Sequence, residues 1–140
     1  MANYQGKVRS NYFAVKNADD WVAFCDRFEF ESIMMWDSET QSNLYGFMDG
    51  PMSDGRGLPS DIYDEDEDEM VEVDFIAELA EQLDPDAVAI IMEIGWEKMR
   101  YFIGIAIAVN AKGDHVSVSL DDIYDKADDA FEGESSLVAD

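Results

Sequence analysis

Apolar positions recur along this chain with two periods, and the changes between them mark out its elements. Trp21, Phe24, Cys25 and Phe28 stand at helical spacing, which predicts an amphipathic helix over residues 18–28, buried through that stripe. Asn17, with Asp20 three residues on, is its N-cap. Ile76, Leu79, Ala80 and Leu83, with Phe75 beside them, predict a second helix over residues 71–83, stopped at Asp84-Pro85. Residues 12–15 read as a short strand after a polar start. Residues 32–37 and 43–48 read as two strands joined by the polar link 38–42. Glycines and prolines punctuate residues 49–60 as a loop. Residues 87–94, rich in β-branched side chains, read as a central strand. A turn at 95–98 leads into a neighbouring strand over 99–109, with Gly104 as a bulge. Another turn precedes a half-exposed strand at 115–120. A short helix over 121–130 carries five aspartates against one lysine.

The expected order is β-α-β-β-α-β-β-β. It describes an α+β fold: an antiparallel sheet with two main helices on one face, in a single domain over residues 1–130. The acidic stretch at 61–81 is expected to be a loop leading into the second helix, and residues 131–140 a loosely ordered tail. One hundred and forty residues match one ordinary domain, and 47% hydrophobic with 12% aromatic content supports a core. Trp36 and Trp96 are assigned to that core. Met34, Met35, Met48 and Met52 are assigned to packing, with an adaptable surface as the alternative.

Charge changes the picture. Thirty-three acids against nine bases leave a net charge of −24. Residues 61–74 hold nine acids and no base, and from Gly57 to Glu97 there are fifteen acids without one Lys or Arg. Residues 1–18 show the opposite, with Lys7, Arg9 and Lys16 and no acid. Like charges at that density oppose a compact state. A disordered acidic tail would lack this chain's aromatic and aliphatic content. The acids are therefore expected on a folded body.

Several chemistries drop out by inventory. His115 is the only histidine and cannot build a His-rich metal site. A Cys25–His115 pair could be nucleophilic, but Cys25 lies on the first helix's apolar stripe and reads as core. Gly55-Arg56-Gly57 matches neither a Walker pattern nor a dinucleotide fingerprint, and GxSxG is missing. Counted from Asp64, an EF-hand needs glycine where Glu69 stands; counted from Asp49, Pro51 and Ser53 take ligand positions. No cofactor or dedicated metal site is expected. One cysteine allows no intrachain disulfide and suits a reducing, cytoplasmic setting. No run has membrane-span length, and the N-terminus has no apolar stretch of signal-peptide length. Phosphates would be repelled, so neither nucleic acid nor anionic lipid is an expected ligand.

The candidate partner-binding residues are Asp61, Asp64, Glu65, Asp66, Glu67, Asp68, Glu69, Glu72, Asp74, Glu78, Glu81, Asp121, Asp122 and Asp125. An acidic run is commonly just a solvated face. The alternative is mimicry of a polyanion. Carboxylates at i and i+4 of a helix lie about 6 Å apart, and alternate residues of a strand roughly 6.6 Å apart, close to the phosphate spacing along a DNA strand. In size and composition the chain resembles the small acidic inhibitors that phages and plasmids direct against host defence, the DNA-mimic type of anti-restriction and anti-CRISPR proteins. The resemblance implies a non-enzymatic inhibitor that occupies the basic nucleic-acid site of a defence complex. An acidic regulator, chaperone or immunity protein for a basic partner unrelated to nucleic acid is the rival, and a carboxylate-and-metal enzyme a third. Ile62 and Tyr63 either anchor the run to the core or contact a partner. A homodimer through an edge strand such as 115–120 is also open.

Overall fold

Residues 4–50, 55, 57–97 and 101–131 are described by a computed structural model. Their elements run β1 (Tyr4–Ser10), α1 (Ala18–Arg27), β2 (Phe30–Asp37), β3 (Ser42–Asp49), β4 (Asp61–Asp64), β5 (Glu69–Glu72), α2 (Phe75–Gln82), β6 (Val88–Glu97), β7 (Tyr101–Asn110), β8 (His115–Ser119) and α3 (Asp122–Ala130). Six strands form one sheet in the order β2-β3-β1-β6-β7-β8, every neighbour antiparallel. The hairpin β4-β5 stands apart as a two-stranded sheet. The class is α+β.

Both α1 and α2 lie over one face of the large sheet. Trp21, Phe24 and Cys25 from α1 and Phe75, Leu79 and Ala80 from α2 are buried with Val8, Phe30, Phe47, Ala89, Ile91 and Val109 from the strands. Phe47 sits at the middle, its ring 4.7 Å from Phe30 and 5.7 Å from Phe75 between centroids. Trp21 packs edge-on to Phe13 and donates its indole N–H to Ser32 at 3.1 Å, so the largest core residue buries no orphan donor. Asn17 caps α1 by accepting from the Asp20 N–H at 2.9 Å.

The N-terminal strand corrects the reading of the first fifteen residues. Residues 12–15 make only isolated bridges, Phe13 to Tyr45 and Val15 to Leu83. The strand is Tyr4–Ser10, and it sits near the centre of the sheet. Its core-facing positions include Gly6 and Ser10, so no apolar alternation announces it. Polar side chains stitch it in. The Val8 N–H donates to the Asp49 carboxylate at 2.8 Å, and the Phe47 N–H to the Ser10 hydroxyl at 2.9 Å. Beyond the strand's end, Asn11 accepts from Ile90 N–H at 2.7 Å.

Further expectations change. Residues 95–97 are strand, because β6 runs to Glu97 with Gly95 buried; residue 98 lies outside the described residues. Gly104 is no bulge: the β6-β7 register passes through Ile94↔Gly104 unbroken. A Cβ there would meet Leu120 at 2.7 Å, so the glycine makes room for that side chain. Residues 61–72 are a hairpin, and the helix starts at Phe75, where the Asp74 side chain caps it by accepting from Ala77 N–H at 3.1 Å. Trp36 is 57% exposed and Met34 is exposed as well, because β2 is an edge strand whose outer half extends past the helices; Met35, also exposed, alternates to the opposite face of the sheet. Residues 51–54, Met52 among them, residue 56 and residues 132–140 lie outside the described residues.

Candidate functional site

The acidic hairpin is built by a period-two pattern hidden among carboxylates. Ile62 pairs with Val71 and both are half-buried; with Val73, Ile62 packs against the core. That face anchors the hairpin, and the Val73 N–H donating to Ser60 O at 2.9 Å closes its base. The opposite face holds Asp61, Tyr63, Met70 and Glu72, all exposed. The turn, residues 65–68, is set by the Asp64 carboxylate, which accepts from the Asp66 N–H at 2.9 Å and from the Glu67 N–H at 3.4 Å. Asp68 takes φ 54°, a left-handed conformation that aspartate tolerates better than most residues. The Tyr63 hydroxyl donates to the Asp68 carboxylate. That bond and slight desolvation hold the phenol above its ordinary pKa.

The ladder places like charges face to face. Asp61 is the direct partner of Glu72, and Asp64 of Glu69. Directly opposed like charges weaken a strand pair, so the apolar face and the turn hold this hairpin together against its own charges. Glu65, Asp66, Glu67 and Asp68 crown the tip, all exposed.

The candidate acids at and along α2 divide by role. Asp74 is the helix N-cap. Glu78 is half-buried and paired with Arg27 of α1, whose guanidinium also lies 5.0 Å from the Phe28 ring centroid. Only Glu81 remains simply exposed. Asp20, Arg27, Glu78 and Glu81 line the groove between α1 and α2. Asp122 and Asp125 belong to α3, with Asp121 the residue before it at the N-cap position; the helix follows edge strand β8 and buries no residue. Asp122 accepts from Ser119 N–H at 2.8 Å, tying strand end to helix start. The hairpin and α2 are adjacent in the chain and share the core's helix side; the α3 acids are carried by the sheet's far edge.

Ile62 and Tyr63 divide between the two roles open to them. Ile62 is the anchor, and Tyr63, 54% exposed, stands among the acids with Met70. Met70 and Arg27 are not among the residues expected from the sequence. Met70 could have been found by alternation from Val71; nothing in the sequence pairs Arg27 with Glu78.

The remaining chemistry is sparse. Cys25 is buried and its thiol pushed up to about 12 by desolvation and by the neighbouring Asp26, with a hydrogen bond to Ser32 acting the other way. It stays protonated at neutral pH and is no nucleophile. No group of three His, Cys, Asp or Glu among the described residues is placed to hold a metal ion. A cavity of about 330 Å³ beside β7 is bordered by Glu93 and Asp121 and is otherwise mostly aliphatic, with Leu58, Ile103 and Ile105. The Glu93 carboxylate there accepts from Leu58 N–H at 2.9 Å. No helix among the described residues is long and apolar enough to cross a membrane.

No family model, no curated protein and no solved structure matches the chain. The site is therefore read from its own geometry.

Proposed function

We propose that this chain is an acidic binding protein, not an enzyme, that inhibits a nucleic-acid-binding defence complex by occupying its basic nucleic-acid site. The observation that carries the reading is the hairpin: opposed carboxylates at Asp61/Glu72 and Asp64/Glu69 are held on an apolar anchor despite their repulsion. Carboxylates fixed in this way offer a cationic groove what a phosphate backbone offers. They steer association and release counterions, with no base to read or cut. The setting implied is the cytoplasm, and the candidate partner is a CRISPR or restriction effector.

Tyr63 and Met70 favour a second reading. An exposed aromatic and a methionine amid acids suit a protein interface better than pure phosphate imitation. On that reading the chain is a regulator, chaperone or immunity protein for a basic partner that has no affinity for nucleic acid.

The test is competition. Proteins captured by the tagged chain from its natural host are purified and bound to labelled duplex or guide RNA, and the chain is titrated in. Release of the nucleic acid, weakening steeply between 50 and 300 mM salt, is the expected result. Reversing Asp61, Glu65, Glu67 and Glu72 to lysine should abolish release with the fold intact. These four are preferred to Asp74 and Glu78, which cap a helix and pair with Arg27. Unaltered release by the reversed variant removes the hairpin from the site. A captured partner that binds no nucleic acid supports the second reading.

A further inference from the structure

The face of the large sheet turned away from α1 and α2 is apolar, and no described element covers it. Strand register assigns its side chains. Arg9 of β1, Met92 of β6, Ala106 of β7 and Val118 of β8 stand in one cross-sheet row. Lys7, Ile94 and Gly104 stand in the next. Phe102, Val116 and Val118 are 73%, 72% and 60% exposed, values of side chains with nothing over them. In a chain with thirty-three acids, the described residues of β1, β6, β7 and β8 place none on this face; Glu93 and Glu97 alternate to the other side, and the acids the face does carry, Glu31 and Asp37, stand on edge strand β2.

We infer that this face is the interface of a homodimer, in which two copies pack sheet on sheet with their helices outward. Three features select a second copy as occupant. The first is shape. On β7 the face offers small residues, Ala106 and Ala108, between ridges of large ones on β6 and β8, while Leu120 closes the trough over Gly104. A trough beside a ridge is complementary to itself after a twofold rotation, as an isologous contact requires, and packed sheets interdigitate in this way. The second is area. Six strands about 4.8 Å apart and five to ten residues long at roughly 3.3 Å each give a face of roughly 750 Å², close to what each partner contributes to a standard interface. The third is charge. A molecule at −24 repels its own copy from every acidic side, and here four adjacent strands present apolar groups with only Lys7 and Arg9 among them, while Glu31 and Asp37 stand at the β2 margin. A basic partner gains nothing at such a face, whereas it fits the hairpin on the other side.

This contact differs from strand pairing along the exposed edge of β8. That pairing would extend the sheet and leave its apolar face in water. Face packing instead yields a helix–sheet–sheet–helix assembly with an acidic surface at each end.

Sedimentation velocity on the full chain tests the inference, from 1 to 300 µM, at 50 mM and 500 mM NaCl. The expected result is a species of twice 15.8 kDa, with a dissociation constant at least fivefold lower in high salt, because screening removes repulsion between like-charged bodies and leaves apolar burial intact. Met92→Glu with Val118→Glu, at two exposed positions, should make the protein monomeric while its circular dichroism and melting stay native. Val22→Glu, on the exposed side of α1, should not. A wild-type monomer at every concentration and salt overturns the inference, whether the chain's own residues 132–140 or another protein covers the face. A dimer that survives the double variant also overturns it and points to the β8 edge. Both variants keep the acidic hairpin, so competition for a nucleic-acid site is scored separately.

Discussion

Replacing Glu69 and Glu72 by lysine should make the protein more stable, by an amount that salt removes. Each residue faces an acid across the β4-β5 ladder, Glu69 opposite Asp64 and Glu72 opposite Asp61. Opposed Cβ atoms lie about 5 Å apart in such a ladder, which puts the charges about 6 Å apart. In water two unit charges at that distance interact by about 0.7 kcal/mol. Reversing one sign turns repulsion into attraction, a change of about 1.4 kcal/mol per pair and about 3 kcal/mol for two before screening. At 20 mM salt the Debye length of about 20 Å leaves roughly 2 kcal/mol, and at 1 M, with a Debye length near 3 Å, about 0.4 kcal/mol remains. Urea is the right denaturant because it adds no ions. The midpoint should rise in E69K/E72K at 20 mM NaCl with the slope unchanged, and the gain should mostly vanish at 1 M. Glu39→Lys with Asp86→Lys makes the same change in net charge at two exposed turn positions and separates local pairing from the global field. An E69K/E72K protein no more stable than wild type at low salt, or no more stable than this control, would refute the argument that the hairpin acids oppose one another.

Three other outcomes follow from the core and its edges. Phe47→Ala removes the ring shared by Trp21, Phe30 and Phe75 and should cost about 3–5 kcal/mol in urea unfolding; a loss below about 1 kcal/mol would contradict the central placing of Phe47. Cys25, its thiol raised from 9.0 to about 12, should resist a thiol-specific disulfide reagent at pH 8 until the protein unfolds. Because the folded-state value lies above the unfolded one, this group's contribution to stability is complete below about pH 9 and is lost as pH climbs towards 12; rapid labelling of native protein, or stability flat across that window in wild type and Cys25→Ala alike, would count against it. Arg27→Met breaks the ion pair with Glu78, whose members are 44% and 28% exposed, and should cost less than about 1 kcal/mol, while the released carboxylate strengthens binding to a basic partner.

What could be read from the sequence depended on whether one period dominated. Trp21, Phe24 and Cys25 spell out α1 without competition, and the two strands at residues 30–37 and 42–49 are separated by a plain polar turn. The first strand escaped because its core-facing Gly6 and Ser10 are small or polar and its outward Lys7 and Arg9 are charged; side-chain hydrogen bonds from Asp49 and Ser10 complete what apolar burial does elsewhere. The hairpin escaped because nine acids overwhelm the alternation of Ile62, Val71 and Val73. Its cross-strand pairs are a property of register, which no local pattern encodes. Trp36 and the Met92–Ile94 side of β6 show the converse error. An apolar strand reads as buried on both faces, yet only packing decides whether both are covered.

The two unusual surfaces lie on opposite sides of the same sheet, and this separation is itself an argument. Repulsion among carboxylates is felt only where they are close, so concentrating them on the hairpin and the helix side leaves the other face free for apolar side chains. Had the acids been spread evenly, that face would carry its share and could associate with nothing. Salt therefore acts on the two surfaces with opposite signs. It should weaken any grip of a basic groove on Asp61, Glu65, Glu67 and Glu72, since counterion release contributes less. It should tighten contact through Met92, Phe102 and Val118, since only repulsion is screened there. One salt titration that followed both partner release and self-association would show the curves crossing. If the two instead moved together, a single surface would be serving both contacts, and the division of labour between hairpin and sheet would be wrong.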